Sequence, residues 1–96
     1  MYLLHVSYSK SPVNVDPHKE AHGAWVKKYI AEGVFLLSGP KKSGLGGIIV
    51  AKSIDKKRLQ TILAEDSYVQ ADVVDYQIVE FDCKLVGSGF ETAANL

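Results

Sequence analysis

The sequence predicts an α+β domain: a four-stranded antiparallel sheet carrying two helices on one face, in the order β-α-β-β-α-β. Three observations predict it. An alternating segment, Tyr2 to Tyr8, opens the chain; two stretches with apolar residues at helical spacing follow, separated by two short apolar runs around a Lys/Ser/Gly loop; and a strand-like segment, Val74 to Asp82, comes after the second stretch.

In the first strand, Tyr2, Leu4, Val6 and Tyr8 share one side and His5 and Ser7 the other, the two-residue period of a half-buried strand. Ser9 to Val15, with Pro12 and Asn14, reads as a loop. Asp16 as N-cap and Pro17 at the first helical position then start a helix, because proline's fixed φ suits the first turn and its missing N–H is not needed there. Gly33 ends it. Val34 to Ser38, bounded by Gly39-Pro40, and Gly46 to Ala51 are short strands joined as a hairpin. Ser53 to Glu65 puts Leu59, Ile62 and Leu63 on one helical stripe, with Ser53 or Asp55 available to cap. Val74 to Asp82 is the last strand; the domain is expected to span residues 1–83, and residues 84–96 to form a loose C-terminal tail.

This element order is that of the ferredoxin-like arrangement. Its exposed feature is the helix-free sheet face: the second and third strands are apolar on both sides, so a bare face leaves a hydrophobic patch in water. A homodimer packed sheet against sheet is therefore expected.

A length of 96 residues allows one domain, and 47% hydrophobic residues supply a core that a disordered chain lacks. Eleven basic against eleven acidic side chains leave no net positive field, so a nucleic-acid partner is not expected. Nor is a membrane partner, since the longest apolar runs, Val34 to Leu37 and Ile48 to Ala51, fall far short of the roughly 20 residues of a membrane helix. Cys83 stands alone and cannot form an internal disulfide, and no secretory leader pattern is present. The expectation is a soluble protein at a reducing, cytoplasmic address.

Topology brings distant groups to one end of the sheet. The end of the first strand (Ser7, Tyr8), the start of the first helix (His18, His22), the Ser38 to Gly46 hairpin and the end of the second helix (Asp66) meet there, which is where a pocket is expected. On a wheel of about 100° per residue, His18 and His22 share the arc of Ala21, Trp25, Val26 and Tyr29 and so face the sheet. Asp66 falls seven residues after Leu59 and three after Leu63, in the apolar stripe if the helix extends that far. An inward carboxylate at a helix C-terminus is disfavoured unless a cation or donor meets it, and His22 is at the matching end of the neighbouring helix. Such a pair fixes the imidazole tautomer and leaves the other ring nitrogen to take or give a proton. The alternative is structural: Asp66-Ser67 ending the helix through an Asx-type turn, with His22 as a packed residue holding one hydrogen bond.

Helix-borne His22, then Glu32-Gly33-Val34-Phe35-Leu36-Leu37-Ser38-Gly39-Pro40, then Glu65-Asp66-Ser67-Tyr68-Val69-Gln70-Ala71-Asp72 leading into Tyr76-Gln77-Ile78-Val79-Glu80-Phe81, resemble the YciI-like (YCII-related) family over residues 1 to about 82. The resemblance implies a ferredoxin-like fold dimerising into an α+β barrel and a His–Asp pair proposed as active site, roles that fall on His22 and Asp66. It also implies proton transfer on a small organic ring, since one branch resembles dehydrochlorinases of chlorinated hydroxyquinols and related barrels isomerise lactones. The chain departs from the family pattern at Ser67-Tyr68, where proline and an aromatic are usual, at Lys19, where arginine is usual, and at Asp72, where glycine is usual. Lys19 keeps the charge and loses arginine's bidentate grip on anions; Asp72 keeps access to a left-handed turn.

Other signals point away from further chemistry. His18 and His22 have the i, i+4 spacing of metal ligands and His5 lies on the neighbouring strand, but residue 19 is lysine rather than the glutamate of HExxH, and nothing fixes a third ligand. No metal and no cofactor are expected. Gly44-Leu-Gly-Gly47 lacks the lysine and the following helix of a phosphate loop and reads as a hairpin turn. Trp25 and Tyr29 read as packing. The functional expectation is a lyase or isomerase in which His22 moves a proton and Asp66 orients it, with Tyr8, His18, Lys19, Ser38, Gly39 and Pro40 lining the substrate pocket. The competing expectation is a non-catalytic dimeric module holding a metabolite or protein partner in the same cleft.

Overall fold

The computed structural model describes residues 1–96. Its sheet has the strands β1 (Tyr2–Tyr8), β2 (Phe35–Pro40), β3 (Gly46–Ala51) and β4 (Val74–Glu80) in the order β2-β3-β1-β4, and every neighbouring pair is antiparallel. Helices α1 (Pro12–Val15), α2 (Lys19–Ala31), α3 (Lys56–Ala64) and α4 (Ser67–Gln70) complete the ferredoxin-like α+β fold. No helix is long and apolar enough to cross a membrane.

The alternation in β1 decides which face is inside. Tyr2, Leu4 and Val6 are buried, and opposite them Ile49 and Ala51 of β3 and Phe35 of β2 complete the apolar floor. Trp25 and Tyr29 of α2 and Leu59, Ile62 and Leu63 of α3 pack on it as one cluster. The Trp25 indole N–H donates to the Ile62 carbonyl at 3.0 Å, so a polar atom buried between the helices is satisfied. A smaller cluster, Val6, Val15, Tyr68, Val73 and Val74, closes the end of the sheet where the pocket was expected.

Three sequence expectations shift. Ser9 to Val15 is not all loop: Pro12 sits at the start of a helical turn that buries Val15, and Asp16 has helical φ and ψ of −49° and −41° rather than an extended N-cap conformation. Proline starts a helix equally well at Pro12 and at Pro17, so the chain runs from α1 through a 3₁₀ turn, Asp16–His18, into α2. The second helix begins at Lys56 and stops at Ala64; Asp66 is extended (φ −65°, ψ 126°) and N-caps the separate turn α4. The tail is not wholly loose either. The Ser53 N–H donates to the Leu96 carbonyl at 2.6 Å, and Phe90, Ala93 and Leu96 lie across a shallow cavity of about 260 Å³ from Leu37 and Val50.

In β2 the register against β3 shifts between Phe35, opposite Ala51, and Leu37, opposite Val50. Leu36 is thus an extra residue, and such a bulge exchanges the faces of everything after it. Leu37 is turned to the helix-free side with Val50, while Ser38, opposite Ile49, comes to the helix-covered side.

Candidate functional site

Asp66 is the one charged side chain that is fully buried, and it lies at the junction of α3 and α4. Its burial is matched by donors. Oδ1 accepts from the backbone N–H of Tyr68 at 3.0 Å, the N-cap bond of α4, and from His22 Nδ1 at 2.7 Å; Oδ2 accepts from the Tyr76 hydroxyl at 2.7 Å. No buried side-chain polar atom is left without a partner. The expected stripe position on a longer helix is therefore replaced by an extended cap residue, which escapes the repulsion of a helix C-terminus and gains the donors of a helix start. Asp66 thus starts the turn after the helix instead of ending the helix itself, and the same carboxylate lies within hydrogen-bond distance of His22.

His22 reaches Asp66 from α2, where it precedes buried Trp25 and Tyr29 by three and seven residues. The Ser67 hydroxyl donates to the His18 carbonyl at 2.9 Å and ties the start of α4 to the start of α2. The imidazole lies flat on the Tyr68 ring, with centroids 3.9 Å apart and planes within 8°. A carboxylate only accepts, so the neutral ring carries its proton on Nδ1 and its lone pair on Nε2. Nε2 has no partner within the protein, and the ring, 20% exposed, lines a cavity of about 450 Å³.

That cavity is bounded by Val6 and Tyr8 of β1, by Lys19, Gly23, Val26, Lys27 and Ile30 of α2, by Ser38, Gly39 and Pro40 of β2, by Gly46 to Ile49 of β3, and by Tyr68. The structure thus brings Tyr8, Lys19, His22, Ser38, Gly39 and Pro40 to one space, with Asp66 behind His22. His18 is not among the lining residues. It belongs to the 3₁₀ turn ahead of α2, where a wheel of 100° per residue does not apply, and it contributes its backbone carbonyl instead. Its i, i+4 spacing to His22 yields no shared site, and no three His, Cys, Asp or Glu side chains gather as a metal-binding group.

Tyr68, Tyr76 and Gly23 are site residues without an assigned role in the sequence reading. Tyr76 was findable: it stands opposite Val6, on the helix-covered face, two residues from Val74 and Ile78. Gly23 was findable by its cost, since glycine inside a helix weakens it by roughly 1 kcal/mol relative to alanine. A Cβ there meets nothing within 4 Å, so the glycine leaves open space beside His22. Burial first, then the Asp66 charge and hydrogen bond, pushes the Tyr76 hydroxyl well above the usual tyrosine range. Tyr68 is pushed up in the same way by burial, then by its neighbour Tyr8 and the charges of Asp66 and Asp16. Both hydroxyls stay protonated, and that of Tyr76 donates to Asp66. The turn closing α4 uses Asp72 at φ 56°, the left-handed conformation that its side chain tolerates.

The YCII-related domain matches residues 1–82. No curated protein matches the chain. Among solved structures, 5-chloro-2-hydroxyhydroquinone dehydrochlorinase from Burkholderia phenoliruptrix AC1100, in complex with 2,5-dihydroxybenzoquinone, is similar in fold, with a TM-score of 0.68 and 13% identity over 84% of this chain and 93% of its own.

Proposed function

The chain belongs to the YCII-related domain family, and on that premise we propose that it is a small-molecule enzyme of lyase or isomerase type, with His22 as the proton-transfer group and Asp66 as its orienting partner. One observation carries the reading: an imidazole held through one nitrogen by a buried carboxylate at 2.7 Å lines a cavity of small-molecule size, and its other nitrogen has no partner within the protein. His22 Nε2 takes a proton from a C–H or O–H bond of the substrate. In isomerisation the same imidazolium returns it at a second carbon; in elimination the leaving group departs with its bonding pair as the double bond forms. Tyr8, Ser38 and the backbone at Gly39-Pro40 shape the space, and Lys19 supplies positive charge at its wall. The similar fold of a ligand-bound dehydrochlorinase supports a small organic substrate.

The helix-free face supports assembly. Leu37, Val50, Leu3 and Val79 stand opposite one another across all four strands, an apolar row that the tail meets at its Leu37–Val50 end, and Leu37 and Val79 remain about half exposed. We assign this row to a second copy of the chain, packed sheet against sheet. Sedimentation at micromolar concentration is expected to show at least a dimer; a stable 10.5 kDa monomer contradicts the assignment.

A screen of small cyclic hydroxy, keto and lactone compounds with the parent protein and His22→Ala tests the function. Turnover lost in His22→Ala supports it. Binding without turnover in the parent replaces it by the non-catalytic module, and turnover retained in His22→Ala removes His22 from the chemistry.

A further inference from the structure

Asp66 is shared. A carboxylate whose only strong partner is a histidine concentrates its charge on that ring; here one oxygen is bound by His22 and by the Tyr68 N–H, and the other is taken by Tyr76 at 2.7 Å. Tyr76 reaches it from β4, ten residues along the chain, across a different element from either member of the pair. We propose that Tyr76 is a positioning residue that withdraws charge from Asp66 and so sets how firmly the His22–Asp66 pair holds its proton. The inference rests on the reading of His22 as the proton-transfer group.

The sign follows from the two charge states of the pair. With the proton bound, His22 and Asp66 together are neutral, whichever atom carries it; without it they bear one negative charge. A hydroxyl dipole aimed at Oδ2 stabilises the charged state more than the neutral one, and therefore eases loss of the proton. The hydroxyl is a dependable donor because burial and the Asp66 charge keep it protonated far into the alkaline range. The other groups facing the pair are Lys19 and Lys27 on the cavity wall, Tyr68 beneath the ring, Tyr8 beside Tyr68, and Asp16, whose charge acts on Tyr68. None of them touches Oδ2, so Tyr76 acts on a carboxylate oxygen with no other side-chain donor.

Tyr76→Phe removes the oxygen and keeps the ring. Its expected effect is an upward move of the His22 NMR titration midpoint by about one pH unit, with the acid limb of any turnover profile moving by the same amount. A purely structural Tyr76 changes stability and leaves the midpoint in place. Site-specific replacement of Tyr76 by 3-fluorotyrosine, nearly isosteric and a stronger donor, keeps the test open should Tyr76→Phe fail to fold; the midpoint then moves down. An unchanged midpoint in a folded variant, or a move opposite to these, overturns the inference. If the midpoint moves as stated and His22→Ala still turns over substrate, the proposed function fails while the coupling of Tyr76 to the pair stands.

Discussion

Replacing Asp66 by alanine removes the acceptor for the Tyr68 N–H, the Tyr76 hydroxyl and His22 Nδ1 at once. His22 is partly exposed and can exchange tautomer or meet water, so it escapes most of the loss. The Tyr68 N–H bond is buried and the Tyr76 hydroxyl is directed into the space vacated by the carboxylate. Each stranded donor costs about 1–3 kcal/mol, which puts Asp66→Ala at roughly 4 kcal/mol. Against a total of about 5–15 kcal/mol for a small domain this is a large share, and at about 4–8 °C per kcal/mol it lowers Tm by roughly 15–30 °C. Asp66→Asn is the discriminating comparison. Its carbonyl oxygen still accepts from His22 and the Tyr68 N–H, and the Tyr76 hydroxyl rotates to accept from the amide nitrogen, so its cost is expected below about 2 kcal/mol. Urea unfolding followed by circular dichroism measures both variants, with equal m-values as the check that the unfolded states match. An Asp66→Ala cost under about 1 kcal/mol refutes the donor argument. An Asp66→Asn cost equal to that of alanine shows that charge, rather than satisfied donors, holds the junction together.

Gly23→Ala places a methyl group in open space beside His22 and removes a flexible residue from the middle of α2, so unfolding is expected to cost about 0.5–1 kcal/mol more while substrate affinity falls, a pairing read from melting curves and KM. Gly46→Ala is expected to destabilise by roughly 3 kcal/mol or more, because φ is +141° and the added Cβ collides with the Val6 carbonyl oxygen; chemical unfolding checks it, and a change under about 1 kcal/mol contradicts the geometry. The Tyr68 and Tyr76 hydroxyls are held above their ordinary value of 10.0, which means that the folded state keeps these protons more tightly than the unfolded chain. Their contribution is full below that value and is lost progressively as pH climbs from it towards the raised folded value, so tyrosinate absorbance for these two is expected to appear only together with loss of the dichroism signal, and earlier ionisation contradicts their burial.

What the residues show on their own is local or periodic. The two-residue period of Tyr2 to Tyr8 assigns the inner face of β1 correctly, and the stripe of Leu59, Ile62 and Leu63 marks the buried side of α3, because each needs only the geometry of one element. The order of elements then limits the sheet topology, and with it the end of the molecule where His22, Asp66, Tyr8 and Ser38 gather. The ends of elements are less legible. Pro12 and Pro17 carry the same helix-start signal, and choosing between them depends on Val15 finding a place against Val6, Tyr68 and Val73, which no local pattern records.

Residue pattern alone is enough to set the order of the four strands and two main helices, the inward sides of β1 and α3, and an imidazole and a carboxylate at one end of the sheet. How those two groups meet depends on the folded chain. Asp66 faces inward because the chain breaks between α3 and α4 and needs a cap there, which brings it donors from α2, α4 and β4 at once. Ser38 faces the cavity because pairing with β3 absorbs Leu36 as an extra residue; without that bulge, the alternation from Phe35 sends Ser38 to the opposite face. Both outcomes turn on hydrogen bonds between segments far apart in the chain, and a period of two or 3.6 residues carries no information about where such a pairing slips by one.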